Sequence, residues 1–307
     1  MELIRGLHNL RPRHQGCVTT MGAFDGVHYG HRAVLQQLID KGREMGLPTV
    51  VVVFEPLPRE YFAPKQAPAR LMSFREKFKA FEELGIDRVL RIRFTPTFRE
   101  MGAKEFIHQI FVDGLATRYI IVGDDLRFGR NRSGDFELLE TEGMAYGFDV
   151  VATSTLTISG DRVSSTRIRK ALEETDFALA EALLGRPYSI SGRVIVGQQL
   201  GRQLGAPTAN LALHRLRAAL SGVYTVEIDI DGRLLKGVAN VGTRPTVNDS
   251  LKAILEVHLL DFNEDIYGEN IVVIFRNKIR DEQKFASIDK LKAQIHKDIE
   301  TGRHYFK

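Results

Sequence analysis

From residue 15 to about 185, short apolar runs and helical spacings take turns along the chain. Runs rich in β-branched residues predict strands at 17–23, 49–54, 87–92, 118–122 and 148–153. Between them, apolar residues recur three and four positions apart, which predicts helices at 30–44, 73–84, 102–112, 133–146, 164–173 and 176–184. The run Thr49-Val50-Val51-Val52-Val53-Phe54 carries no polar alternation. Such a strand is covered on both faces, as in a parallel sheet between helices. The pattern changes after Leu184-Gly185-Arg186-Pro187, where Tyr188 to Val196 alternates apolar and polar. Further strands are predicted at 222–228, 234–241, 253–260 and 271–275, with Asp231-Gly232 as a tight turn. Strands at this spacing predict a small antiparallel barrel. Apolar residues at 288, 291, 295 and 299 predict a closing helix. The expected architecture is α/β: a parallel-sheet domain over 1–185, then a small antiparallel β-barrel with a closing helix over 186–307. No internal repeat or low-complexity linker joins them.

The chemistry gathers first at the turn after the strand Cys17-Val18-Thr19-Thr20-Met21. There Gly22-Ala23-Phe24-Asp25-Gly26-Val27-His28-Tyr29-Gly30-His31 leads into a helix carrying Val34, Leu35, Leu38 and Ile39. Its glycines allow close backbone approach, and the helix start offers free N–H groups and a positive dipole end. His28 and His31, three positions apart, can face one point. Gly-rich turns are common in α/β proteins, but H-x-G-H is the signature of the Rossmann-like α/β nucleotidyltransferases, in which both histidines hold nucleotide phosphates. Two more loops fall where ligands of parallel sheets bind, beyond the strands' carboxyl ends. Gly123 to Arg132 is arginine-rich, suited to phosphates or simply solvated. Ser164-Ser165-Thr166-Arg167-Ile168-Arg169 opens a helix, and phosphate binding accounts for its hydroxyls and arginines better than capping alone.

In the second half, Gly197 to Asn210 brings glycines, Pro207, Thr208 and Asn210 together. In an extended segment Thr208 and Asn210 point the same way and could share one Mg²⁺–phosphate; a plain surface loop is an equal reading. Glu256 and His258 share one face of an alternating strand. That face is either solvent-facing or a place for a general base.

Composition narrows the function classes. At 307 residues the chain has room for two cores, and 43% hydrophobic with 27% charged residues is ordinary for a globular protein. A net charge of +4, spread without a polybasic tract, suits small anionic substrates and argues against nucleic acid. Cys17 is the only cysteine, so no intrachain disulfide forms. Its place in a core strand makes it a small buried hydrophobe in a reducing compartment. No apolar segment is long enough for a signal peptide or a bilayer span, so a cytoplasmic protein is expected.

Taken together, these residues resemble the bacterial bifunctional FAD synthetases, which join a riboflavin kinase to an FMN adenylyltransferase. The resemblance runs through G-x-F-D-G-V-H-x-G-H, Phe54 to Arg59, the G-D-D-x-R-F-G-R loop and Ser164 to Arg169. It continues in L-G-x-P-T-A-N, Gly237 to Thr246 and E-V-H-L-L-D-F ahead of Tyr267-Gly268. It implies phosphorylation of riboflavin by ATP, then adenylylation of FMN to FAD with release of pyrophosphate. By the same resemblance Glu256 is the kinase's general base. Thr208 and Asn210 bind Mg²⁺ and phosphates within a loop that includes Gly201, Gly205 and Pro207. In the first domain His28 and His31 stabilise the transferring phosphate. Gly22, Phe24, Asp25 and Gly30 shape that corner, while Ser164, Ser165, Thr166 and Arg167 hold the leaving side. Asp125, Arg127 and Phe128 line the flavin or nucleotide pocket. The implied partners are ATP, riboflavin and FMN, without nucleic acid or membrane, and weak homo-oligomers are allowed for. The chain departs from many relatives at Val196, where a His is common, and at Ala206, where an aromatic residue is common. A monofunctional nucleotidyltransferase with a flavin-binding barrel, and a non-catalytic regulator, are rival readings. The second predicts lost site residues, yet His28, His31, Thr208, Asn210 and Glu256 are all present.

Overall fold

A computed structural model describes the chain except residues 124, 154, 198–200, 202, 203, 214 and 246–250, with side chains also outside the description at 244, 245, 251 and 252. Asp124, Gln198, Gln199, Leu200, Arg202, Gln203 and Thr246 of the motifs above therefore lie outside the described residues. Contacts divide the chain into two units, Met1–Pro68 with Phe74–Ser164, and Ala69–Ser73 with Ser165–Lys307.

The first unit is built on six parallel strands: β1 (Glu2–Arg5), β2 (Val18–Met21), β3 (Thr49–Glu55), β4 (Arg88–Arg93), β5 (Tyr119–Gly123) and β6 (Asp149–Thr153). Their order is β1-β4-β3-β2-β5-β6. From β2 the chain winds outward through β3 and β4, then returns to β2's other side with β5. The carboxyl end of β2 is thus the topological switch point, where such sheets bind ligands. Val50, Val51, Val52 and Val53 are wholly buried, as a strand covered on both faces requires. The helices are α1 (Tyr29–Met45), α2 (Pro58–Phe62), α3 (Phe74–Leu84), α4 (Pro96–Arg99), α5 (Ala103–Ile107) and α6 (Phe136–Tyr146). The predicted helix at 102–112 widens from His108 to Val112 into π-type turns. The short helices α2 and α4, and strand β1, were not predicted. Each helix starts at a proline, which locally reads as a turn, and β1 is only four residues long. A small hairpin, β7 (Thr157–Ile158) and β8 (Asp161–Arg162), leads to Ser164.

In the second unit, helices α7 (Ser165–Glu173) and α8 (Phe177–Leu184) precede a closed barrel. Its strands are β9 (Ser189–Ile195), β10 (Ala209–Ala212), β11 (Gly222–Ile230), β12 (Arg233–Pro245), β13 (Leu251–Leu259) and β14 (Asn270–Arg280), in the order β10-β13-β12-β11-β14-β9. Every pair is antiparallel, and β9 closes on β10. Inside lie Val226, Ile228, Ala239, Val257 and Val273, all fully buried. Phe177 stands edge-on to Tyr224 at 6.0 Å, which ties α8 to the barrel. The closing helix α9 (Ile288–Tyr305) is held by a buried ion pair, Arg280 to Asp298 at 2.7 Å. Gln294 also donates to Asp298 at 2.8 Å.

Candidate functional site

At the switch point of the first unit the turn from β2 to α1 is tightly built. His28 caps α1, its Nδ1 accepting from the His31 N–H at 3.3 Å. The two imidazoles stack with ring centres 3.6 Å apart and planes 15° off parallel. The sequence spacing thus does bring both rings to one point. Phe24 meets His31 edge-on at 5.2 Å and is backed by Phe81 of α3 at 5.6 Å. Phe24 and Val27 take φ of 47° and 40°, a left-handed conformation costly for side-chain-bearing residues and commonest at functional sites. Asp25 is buried on the same turn.

The glycines serve the protein itself as well as any ligand. A Cβ on Gly30 would lie 3.3 Å from the His28 ring, and one on Gly22 would lie 3.1 Å from Phe24. Both positions must be small for these rings to seat. The Gly30 position also lies 3.5 Å from the Val163 carbonyl, which brings the segment before Ser164 to the histidines. Ser165, Thr166 and Arg167 open α7 in the second unit.

Burial, the neighbouring His28 and the Lys77 ammonium, in that order, hold the His31 imidazole well below the ordinary histidine range. His31 Nδ1 is buried without a hydrogen-bond partner among the described residues. Lys77, which sequence reasoning missed, is wholly buried on α3. It donates to the Ala23 carbonyl at 3.1 Å and pairs with Glu55 at 3.1 Å. The signal was present: Lys77 falls on the helical stripe of Phe74, Phe81 and Leu84.

Of the loop expected to line a flavin pocket, Asp125 and Arg127 are exposed, and Asp125 pairs with Arg162 at 3.1 Å. Phe128, by contrast, is largely buried. It belongs to the unit's core, 5.0 Å from Phe106 and only 6% exposed, because the bridge to Gly134 turns its ring inward. Beyond the ends of β3 and β4, Phe94 touches Phe54, Phe98, Tyr61 and Phe62, an aromatic wall the sequence reading did not single out. Phe62 is 59% exposed there.

The barrel carries a second constellation. The register sets Glu256 of β13 directly opposite Asn210 of β10 on one side and Asn240 of β12 on the other. Directly paired residues project to the same face of a sheet. Asn210, Glu256 and Asn240 therefore form one row, half-buried and outside the apolar interior. A Cβ on Gly197 would overlap the Asn210 carboxamide, and one on Gly201 would press on Thr208 Oγ1 at 3.1 Å. Gly197 and Gly201 thus lie close against the two side chains expected to hold Mg²⁺. Gly205 supplies a φ of 81° beside Pro207, whose carbonyl lies 2.9 Å from His258 Nδ1. Ala206 packs with Leu260 and Ile299, so a small residue there lets α9 lie close. A hydroxyl and a carboxamide oxygen are hard donors that fit Mg²⁺, which takes few protein ligands and completes its shell with phosphates and water.

By fold, the chain joins a nucleotidyltransferase-type parallel sheet to a closed six-stranded antiparallel barrel. A family model for FAD synthetase matches residues 10–167, and one for riboflavin kinase matches residues 184–306. The chain is 53% identical to the bifunctional riboflavin kinase/FMN adenylyltransferase of Pseudomonas fluorescens, over 99% of this chain and 97% of that one. It is 52% identical to the same enzyme of Escherichia coli K12, over 100% and 98% of the two chains. A crystal structure described as a macrolide-efflux protein from Streptococcus pneumoniae superposes with a TM-score of 0.76 at 29% identity, covering 99% of each chain. Among the described residues no helix is long and apolar enough to cross a membrane. The chain belongs to the family of bifunctional riboflavin kinase/FMN adenylyltransferases.

Proposed function

We propose that each unit carries out one of two consecutive ATP-dependent steps, the barrel making FMN and the parallel-sheet unit making FAD. The functional boundary is drawn at residue 185, with the adenylyltransferase over 1–185 and the riboflavin kinase over 186–307. The ranges of the two family models support that division.

In the kinase step the 5′-oxygen of riboflavin attacks the γ-phosphorus of ATP, and the bond to the bridging oxygen breaks to release ADP. Glu256 takes the hydroxyl proton. Thr208 and Asn210 hold Mg²⁺ and phosphate oxygens, with Gly201, Gly205 and Pro207 shaping the loop. Mg²⁺ supplies neutralisation of the charge that builds on the transferring group. In the second step an oxygen of the FMN phosphate attacks the α-phosphorus of a second ATP and pyrophosphate leaves. His28 and His31 stabilise the developing charge at the start of α1, among Gly22, Phe24, Asp25 and Gly30. Ser164, Ser165, Thr166 and Arg167 take the leaving pyrophosphate. Asp125 and Arg127 are assigned to the flavin side, with the exposed face of Phe62 suited to a flat ring. Neither step needs a covalent enzyme intermediate. The buried Cys17 thiol supports residence in the cytoplasm.

The observation that carries this reading is a pair of polar groupings, the stacked His28 and His31 rings at the start of α1 and the Asn210–Glu256–Asn240 row on the barrel. It is tested by asking whether the two activities can be lost one at a time. His28→Ala is expected to lower FAD formation from FMN by ~100-fold or more while riboflavin phosphorylation stays intact. Glu256→Gln is expected to do the reverse, by ~100-fold or more. Equal loss of both activities in either variant would contradict the assignment.

A further inference from the structure

Lysine is almost never fully buried unless something holds its charge. Lys77 is fully buried, and one of its two partners lies on the histidine turn. One is Glu55, at the carboxyl end of β3. The other is the Ala23 carbonyl, immediately before Phe24, where the backbone enters its left-handed conformation. One helical turn further along α3, Phe81 supports the ring of Phe24, which in turn stands against His31. Helix α3 therefore grips the turn twice, by charge at Ala23 and by ring contact at Phe24.

We propose that Lys77 is a positioning residue for adenylyl transfer, fixing the strained Ala23–Phe24 backbone so that Phe24 sets the His31 ring against His28. Among the described residues its polar partners are the Ala23 carbonyl and Glu55. A buried ammonium suits this task better than a neutral side chain, because a charge-assisted bond to a carbonyl can hold a backbone that would otherwise relax. The ammonium also lies near enough to disfavour a proton on His31, together with burial and His28. Facing that ring are His28, stacked on it, and Lys77 from α3, whose counter-charge is Glu55 of β3, while Asp25 is buried on the same turn.

This inference rests on the adenylyl-transfer reading, and its test has one arm that does not. Lys77→Met, Lys77→Arg and the double variant Lys77→Met/Glu55→Gln are compared, the last because it leaves no buried carboxylate without a partner. In the full-length protein the His31 imidazole is titrated by NMR. Its pKa is expected to rise in Lys77→Met and in the double variant, and to return toward the wild-type value in Lys77→Arg. In steady-state assays with FMN and ATP, kcat for FAD formation is expected to fall ~10- to 100-fold, with KM for ATP within about twofold. Lys77→Arg recovers part of the loss, and riboflavin phosphorylation is unchanged throughout. A purely structural lysine would lower the melting temperature without moving the His31 titration or kcat, and that result would overturn the proposal. So would wild-type kcat in the folded double variant. If the wild-type protein makes no FAD at all, the adenylyl-transfer reading fails, and the NMR arm still decides whether Lys77 governs His31.

Discussion

His31 illustrates what one residue contributes to both folding and chemistry. Burial first, then His28 and Lys77, push its imidazole well below the ordinary value of 6.5. The unfolded chain binds a proton on this ring near pH 6.5, whereas the folded chain does so only at much lower pH. The unfolded state therefore binds more protons in that window, and stability rises with pH across it. Stated the other way, stability is lost as the pH falls below 6.5, by at most about 1.4 kcal/mol per pH unit from this group. Urea titrations at descending pH are expected to show a steeper loss for the wild type than for His31→Gln. Identical slopes would mean that His31 takes its proton as readily in the folded chain. The histidine pair was legible in the sequence because H-x-G-H states its own geometry: three residues on a helix make nearly one turn. Lys77 was legible only as a member of the Phe74, Phe81 and Leu84 stripe, because a lysine within Phe74-Arg75-Glu76-Lys77-Phe78 otherwise looks like any solvent-facing lysine until the helix is docked. The burial of Phe128 was hidden for the opposite reason. An aromatic residue in a polar loop suggests a ligand contact, and only the bridge to Gly134 shows that it turns into the core.

At the scale of elements, the segment 197–212 shows where local pattern gives out. Its glycines and proline read as a loop, and the four-residue strand β10 inside it depends on partners far away in the sequence, β9 and β13. Strand formation answers to cross-strand neighbours more than to intrinsic preference, so such a strand leaves little local trace. The alternation in β13 did place Glu256 on one face, but not the fact that Asn210 and Asn240 flank it. The close approach of Gly197 to Asn210 gives a prediction here. Gly197→Ala adds a Cβ where the Asn210 carboxamide lies, so one of them must move. Riboflavin phosphorylation is expected to fall ~10-fold or more, since small displacements of positioning groups are costly. FAD formation from supplied FMN is expected to stay at the wild-type rate. An unaltered kinase in this variant would mean that Asn210 need not be held in place.

For the whole molecule, the change from strand–helix repetition to alternation was the most readable feature, because periods of 3.6 and 2 reflect which faces are covered. A six-stranded parallel sheet and a closed antiparallel barrel follow that change. The edge strand β1 and the closure of β9 on β10 were hidden, being set by long-range pairing rather than by local sequence. The contact boundary at Ser165 was hidden as well. Helices α7 and α8 continue the strand–helix rhythm of the first half, yet belong by contact with the barrel.

One chain makes both FMN and FAD. Incubating it with riboflavin, ATP and Mg²⁺ and separating the flavins by chromatography over time tests this most directly. FMN is expected first, FAD after it, and neither when Mg²⁺ is chelated. FMN that never becomes FAD, despite His28 and His31, would contradict the role of the first unit. Riboflavin left unconverted in the presence of Mg²⁺ would contradict that of the second.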